Sequence, residues 1–509
     1  QVAIENRWAE TDPVRVVHLL EHTAGFDDIH LAEYAFSDPD VTLEEGLAFH
    51  PDSRTVRWKP GTRFSYSNSG PAVAALAIEK VTGQRFEDYV KEQILDPLIM
   101  RTSSYRLDAS VRDRLATGYR GDGETEALHP HILMRPSGAL ISSPNDMVNF
   151  LQFFLNRGTF RDIELLRPSS IERMETPKTT LAANRGVLAG YGCGNFTTST
   201  DDFLFHGHDG GIDGFAASYG YIPEHGVAYA YMINAENREA YVRIGKLVRS
   251  FLTQDLRHDI PFEASPSEES LDALTGYYVD VAPRQAIMQF VLRLLDIKKV
   301  SVANGQLEAG WIFGSPTPLI AVTDTHFREQ DDPVATVVFL EDDDEGRLVQ
   351  GWGGPLAGTY RPVSGLVVWG QLLLAAVAIL LLASSVVFAL VWIPRWMLFH
   401  LQDVKHLEIR IVPLVSSVCF FLAVALVWLS LDAGIERFGR PTIWSWGFYL
   451  ATLVFAVTAV WGLVQVVRSR RWAIGRGVWV HSGLVSAAAT IVMLYLLYWG
   501  IIGLRTWTY

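Results

Sequence analysis

Four long runs without a charged side chain occupy the last third of the chain: residues 366–393, 411–431, 444–467 and 478–504. Each reaches the ~20 apolar residues that a ~30 Å hydrocarbon layer demands, so the pattern predicts four membrane spans rather than a buried bundle. Trp369, Trp392, Trp396, Trp444, Trp446, Trp499 and Trp507 cluster near the span ends, as an interfacial aromatic belt would. Upstream the periods mix. Residues 72–82 and 86–95 carry helical spacing, closed by Gly83 and Pro97. Residues 216–222 and 227–233 read as short strands around the turn Pro223-Glu224-His225-Gly226. A polar stretch at 265–270 reads as a linker. Beyond it, 275–281, 319–322, 335–340 and 348–352 read as strands, with turns at 331–333 and 342–346. The pattern therefore predicts a mixed domain over 1–260, a small β-sheet or barrel domain over 271–362, and a four-helix membrane region over 366–504. No repeat of solenoid period is present.

Composition sharpens this picture. A chain of 509 residues is too long for one core. With 49% hydrophobic and 19% charged residues it is not a disordered polymer. A net charge of −13 argues against a nucleic-acid partner. Cys193 and Cys419 are too few for a disulfide scaffold, and no Cys/His cluster has structural zinc spacing. The acidic run Asp342-Asp343-Asp344-Glu345 lacks the alternating ligands of a calcium loop and reads as a solvated turn.

The charge is unevenly placed. Residues 366–509 hold ten Lys/Arg and four Asp/Glu, whereas the rest holds 33 and 52, so a net −19 part precedes a net +6 tail. Arg395, Lys405 and Arg410 lie in the first inter-span loop, and Arg468, Arg470, Arg471 and Arg476 in the third. In the second loop, Arg437 and Arg440 are offset by Asp432 and Glu436. The positive-inside rule then places loops one and three in the cytoplasm, with the N-terminal part and Tyr509 facing the periplasm or cell exterior. The chain opens on Gln1 and shows no signal peptide.

Three local patterns can carry chemistry. They are His18-Leu19-Leu20-Glu21-His22-Thr23-Ala24-Gly25, then Pro60-Gly61-Thr62-Arg63-Phe64-Ser65-Tyr66-Ser67-Asn68-Ser69-Gly70, then His206-Gly207-His208-Asp209-Gly210-Gly211. In this order they resemble the serine β-lactamase-like family of penicillin-binding proteins, class C β-lactamases, D-aminopeptidases and related esterases. Leu19 to Gly25 is similar to the family's Leu-Leu-x-His-Thr-x-Gly. Tyr66-Ser67-Asn68 is similar to its Tyr-x-Asn, and His208-Asp209-Gly210 to its Lys-Thr-Gly or His-x-Gly. Pro97-Leu98-Ile99-Met100, Arg135-Pro136-Ser137-Gly138 and Ser142-Ser143-Pro144-Asn145-Asp146-Met147 fit as supporting runs. The resemblance covers roughly residues 10–250.

It implies an α+β fold, an antiparallel sheet flanked by helices, and acyl transfer on a peptide, ester or amide substrate without a cofactor. It implies Tyr66 as proton carrier, with a phenol pKa depressed by surrounding cations. Asn68 would present its amide to the substrate carbonyl, and His208 would occupy the position of a carboxylate-binding cation. Gly210 would admit the substrate backbone, and the Gly211 amide would donate to the oxyanion. The family's acylated serine sits in Ser-x-x-Lys, and no serine in this chain has lysine three positions later. The expectation is therefore an N-terminally truncated, inactive copy.

Two further readings stay open. One is a membrane sensor that binds peptidoglycan-like peptides without turning them over. The other is a zinc peptidase, because His18-Leu19-Leu20-Glu21-His22 matches His-x-x-Glu-His. The Thr-Ala-Gly that follows ends the helix such a site needs, so no metal is expected.

Overall fold

The computed structural model describes residues 3–257, 262–342, 346–399, 406–433, 435–471 and 474–509. The chain divides into two compact units: Gln1–Ile29 with Ser37–Val363, and His30–Phe36 with Ser364–Tyr509.

In the first unit a short helix α1 (Val16–Leu20) precedes α2 (Ser69–Thr82), which Gly83 closes in a left-handed conformation at φ +72°. The helical spacing at 86–95 becomes one α-turn, Phe86–Val90, that widens into a π-turn over Lys91–Leu95. Helix α3 (Pro144–Leu155) starts on Ser143, whose hydroxyl accepts from the Asp146 N–H, with Pro at the first helical position. A five-stranded antiparallel meander follows: β1 (Gly190–Tyr191), β2 (Phe196–Thr200), β3 (Phe203–Ile212), β4 (Phe215–Ile222) and β5 (Val227–Ile233). Met147, Leu151 and Phe154 of α3 pack with Leu98, Ile171 and Tyr221 into its core. Helix α4 (Arg238–Thr253) follows β5. This is the helix-flanked antiparallel sheet that the motifs implied.

The same unit continues into a closed eight-stranded antiparallel barrel. Its strands are β6 (Gly276–Asp280), β7 (Ile297–Ala303), β8 (Gln306–Trp311), β9 (Thr317–Ala321), β10 (His326–Arg328), β11 (Val337–Asp342), β12 (Gly346–Gly351) and β13 (Gly358–Val363). Closure comes from β6 against β13, with Tyr277 opposite Val363 and Asp280 opposite Tyr360. Tyr278, Leu307, Phe327, Val349 and Leu356 fill the interior. The apolar pattern located β6, β9, β11 and β12. It missed β7 and β8, where Lys298, Lys299 and Glu308 interrupt the apolar run, the three-residue β10, and β13. Part of the turn expected at 342–346 lies outside the described residues.

In the second unit the four apolar runs form helices α5 (Gly365–Phe399), α6 (Glu408–Ala433), α7 (Ile443–Arg468) and α8 (Arg476–Tyr498), each long and apolar enough to cross a membrane. The fourth stops at Tyr498 rather than 504, because Gly500 and Gly503 adopt φ of +72° and +70°. Lys405, counted in the first inter-span loop, lies outside the described residues. Leu382, Phe455, Ala459, Val485, Ala489 and Met493 form the bundle core. The segment His30–Phe36 belongs to this unit. Arg440 Nε and Nη2 donate to the Ala35 carbonyl at 2.9 and 2.6 Å, and the Ala32 N–H donates to the Tyr509 carbonyl at 2.7 Å.

Gly207 sits in β3 opposite Gly220 of β4. A Cβ there would lie 2.1 Å from the Tyr219 carbonyl oxygen, so the two strands would have to part. Gly207→Ala is expected to destabilise this unit by about 1–3 kcal/mol, read as a lower thermal unfolding midpoint.

Candidate active site

Helix α1 ends at Leu20, and the chain turns through His22 at φ +53° into Asp27 and Asp28. That turn is the floor on which the Tyr-x-Asn run lies. The Ser65 N–H donates to the His22 carbonyl at 2.9 Å, the Ser67 N–H to His22 Nδ1 at 3.2 Å, and the Ser67 hydroxyl to the Asp27 carbonyl at 2.8 Å. Asn68 precedes α2, and both its backbone N–H and its Nδ2 donate to Asp28 Oδ1, at 2.8 and 2.9 Å. The Asn68 side chain is thus held by a buried carboxylate, and the Asn68 backbone carbonyl accepts from the Ser137 hydroxyl at 2.5 Å.

Tyr66 and His208 come from motifs 142 positions apart, yet their ring centroids lie 6.5 Å apart. The His22 ring lies 4.1 Å from the Tyr66 ring at a 30° tilt, and Tyr191 of β1 lies 6.1 Å away. His208 is hydrogen-bonded at both nitrogens. Nδ1 faces the Asp209 carbonyl at 2.5 Å, which can only accept, so this nitrogen carries the proton. Nε2 then accepts from the Tyr191 hydroxyl at 2.5 Å.

Burial sets the ionisation of this cluster. It lowers His208 below the ordinary histidine value, so the ring is neutral at physiological pH rather than a cation for a carboxylate. Burial, reinforced by His208 and less strongly by Arg284, drives His22 down to about 3. It also raises the Tyr66 phenol above 10, with Arg284 opposing and Asp28 reinforcing the rise. The depressed phenol expected from the family is not found here. Among the described residues one cation, Arg284, faces Tyr66, and the Asp28 carboxylate offsets part of its effect.

Gly210 and Gly211 lie on the exposed end of β3. A Cβ at Gly210 would meet only Ala217 at ordinary contact distance, and one at Gly211 would meet nothing within 4 Å. Their open face leaves room for a substrate backbone. The residues of the zinc reading are otherwise engaged. The Glu21 carboxylate pairs with Arg173 and accepts from the Lys178 N–H (3.1 Å), the Thr179 N–H (2.9 Å) and the Thr179 hydroxyl (2.6 Å). His18 Nδ1 accepts from the Arg15 N–H at 3.2 Å. Among the described residues, no candidate metal cluster includes His18, Glu21 or His22.

Three groups escaped the sequence reading. Asp28 gave a weak signal as the second acid of Asp27-Asp28, directly after the Thr-Ala-Gly turn. Tyr191 and Arg284 gave none, because only the tertiary fold brings them here. Arg284 arrives from the segment after β6. Its Nε lies 2.6 Å from Asp28 Oδ2, and its guanidinium carbon 4.7 Å from the Tyr66 ring centroid.

Residues 4–251 match the sequence profile of the family described as Beta-lactamase. This part of the chain is a Beta-lactamase family domain. Human "Putative beta-lactamase-like 1" is 31% identical over 170 residues, covering 32% of each chain. The D-aminopeptidase of Brucella ovis is 27% identical over 186 residues, 36% of this chain and 34% of its own. The "Protein flp" of Staphylococcus aureus is 23% identical over 253 residues, 49% and 48%. The matches thus span about a third to a half of the length of these curated relatives. Among solved structures, the penicillin-binding protein homologue of Pyrococcus abyssi aligns at 20% identity over 70% of this chain and 82% of its own, with a TM-score of 0.38.

The buried His22 of the Beta-lactamase family domain has a consequence for stability. Folded, the ring stays neutral down to about pH 3; in the unfolded chain it takes a proton below about 6.5. Its contribution is complete above pH 6.5 and drains as pH falls toward 3. His206, lowered to about 4 by burial, acts in the same window and sense. His22→Asn tolerates the left-handed backbone and keeps an acceptor for the Ser67 N–H. The parent is expected to lose ~2–3 kcal/mol more than this variant between pH 7 and pH 4, measured by urea unfolding at stepped pH.

Proposed function

We propose that the chain is the cleft-bearing and membrane-anchoring part of a serine hydrolase. It works by acyl transfer on a peptide, ester or amide substrate, with its Beta-lactamase family domain on the periplasmic or extracellular face. The observation that carries this reading is the 6.5 Å approach of Tyr66 to His208, beside the open end of β3. In the complete site, with Tyr66 ionised beside the lysine of Ser-x-x-Lys, the hydroxyl proton of the serine passes to the Tyr66 phenolate as the serine oxygen bonds to the substrate carbonyl carbon. The same proton leaves on the departing oxygen or nitrogen as that bond breaks. His208, neutral and bonded to Tyr191, orients the wall opposite Tyr66. The Gly211 amide donates to the developing oxyanion. The neutrality of His208 favours uncharged esters and amides over substrates that need a cation for their carboxylate.

A Tyr66 that holds its proton fits a resting site that lacks the second cation, the lysine of Ser-x-x-Lys. These 509 residues alone therefore form no acyl adduct. That state also supports the second reading, a cleft that binds peptide ligands without turnover. We further infer three working parts, residues 1–260, 271–362 and 366–504, and helices α5 to α8 embedded in the lipid bilayer. Arg395–Arg410 and Arg468–Arg476 stand on the cytoplasmic side, from their excess of cations.

A fluorophosphonate or penicillin probe is expected to leave the chain unlabelled and to label the same chain extended by a Ser-x-x-Lys-bearing segment. In the extended chain, Tyr66→Phe should slow labelling by ~10²–10⁴-fold. Tyr66-dependent, saturable ester hydrolysis by the unextended chain would mean that another residue is the nucleophile. For topology, a cysteine replacing Arg470, with Cys193 and Cys419 changed to serine, should resist an impermeant maleimide in intact cells. Labelling from outside would reverse the assignment.

A further inference from the structure

The segment between β6 and the start of β7 does more than close the barrel. After Asp280 it runs along the Tyr-x-Asn motif and is fastened there residue by residue. Arg63 Nη1 donates to the Val281 carbonyl at 3.1 Å, and Arg57 Nη1 to the Pro283 carbonyl at 2.8 Å. The Ser65 hydroxyl donates to the Pro283 carbonyl at 3.3 Å, and the Ala286 N–H to Asp27 Oδ1 at 2.8 Å. Within this fastened stretch, the Arg284 guanidinium reaches Asp28 and the face of the Tyr66 ring.

We propose that Arg284, supplied by the barrel, is a positioning residue for Tyr66: its guanidinium over the phenol ring favours the phenolate, and its ion pair with Asp28 fixes the carboxylate that holds Asn68. The inference rests on reading Tyr66 as the proton carrier. Three observations support it. The guanidinium carbon lies 4.7 Å from the ring centroid, within cation–π range. The side chain is 53% exposed, while its partner Asp28 is 0% exposed. Tyr66 and His22 both register the guanidinium as a charge in their surroundings.

Among the described residues, the groups around Tyr66 are few. His22 lies on the turn after α1, Asp28 beyond it, Tyr191 on β1, His208 on β3, and Arg284 comes from the barrel. Both histidines are held neutral by burial, and the Tyr191 phenol is pushed well up by the same cause. Among these groups the positive charge belongs to Arg284. It follows that the barrel is part of the catalytic site, and that a Beta-lactamase family domain cut off at residue 260 would carry Tyr66 without its cation.

The test reads ionisation at position 66 directly, in the full detergent-solubilised chain, with 3-nitrotyrosine placed at that position. Its phenolate absorbs in the visible, apart from the other tyrosines. Arg284→Gln is expected to raise the titration midpoint by about one pH unit, and Arg284→Lys to restore at least half of that shift. Raising NaCl from low to molar concentration should also raise the midpoint in the parent, because a half-exposed cation is screened. Screening of the chain's net negative field would lower it instead.

An unchanged midpoint in Arg284→Gln, or a lysine variant displaced as far as the glutamine one, overturns the proposal and leaves Arg284 as a staple between barrel and domain. If Arg284→Gln does not fold, the salt series decides. A midpoint that rises supports the proposal, and one that stays or falls overturns it. The readout needs no acylation. A shift at position 66 together with failure of the Ser-x-x-Lys-extended chain to label would sink the hydrolase reading alone. Labelling without the shift would sink only the role of Arg284.

Discussion

The Asp28 carboxylate is fully buried, and a charge out of water is tolerated only where several donors surround it. Asp28 has those donors on two sides. Oδ1 takes two N–H groups from Asn68, and Oδ2 takes the Arg284 guanidinium. One group thus fixes the start of α2, the approach of the barrel segment and the cation over Tyr66. Its neighbour Asp27 works the same way, with Arg57 at 3.5 Å and the Ala286 N–H on the same oxygen. Removing either partner of such a pair strands the other in a dry site, so the cleft floor and the barrel segment form one structural element.

The electrostatics of the cleft follow from that arrangement. Burial neutralises His22 and His208 and keeps the proton on Tyr66. Proton transfer at neutral pH needs a phenol brought nearer to that pH, and one guanidinium partly offset by a carboxylate does not achieve it. The arrangement is poised for a second cation. On the proposed reading, the lysine of Ser-x-x-Lys would supply it.

How far the chain could be read from its sequence varied with the range of the interactions involved. The membrane helices were legible because the signal is local: absence of charge over the length of a span. Their ends were less so, since Gly500 and Gly503 terminate α8 inside an apolar run. The sheet strands β4 and β5 were legible because a Pro-Glu-His-Gly turn separates two apolar runs. Half of the barrel was hidden by its own geometry. Its strands alternate inward and outward: in β7 Val300 and Val302 face the interior, with Lys299 and Ser301 on the other face before and between them, so no apolar run survives. Tyr66, Asn68 and His208 could be found because motif residues keep fixed neighbours. Their partners could not. Arg284 lies 256 positions from Asp28 in a stretch with no pattern of its own, and the charge it meets is defined only by the fold.

Barrel closure explains how a loop residue can act with the accuracy that electrostatics requires. Strand β6 is registered on both sides, against β7 through Gly276 to Val279 and against β13 through Tyr277 to Asp280. Its exit at Asp280 therefore cannot slide without breaking two ladders, and a slip by one residue would turn Tyr278 out of the core. Three residues later the chain is caught again by Arg57 and Ser65, and two residues beyond Arg284 by Asp27. A segment held at both ends over so few residues has little freedom left to lose when a substrate arrives. The position of the guanidinium is thus a property of the folded barrel. The effect of a charge at 4 to 5 Å changes steeply with distance in a low-dielectric cleft, so a rigid barrel is a better carrier for that charge than a flexible surface loop.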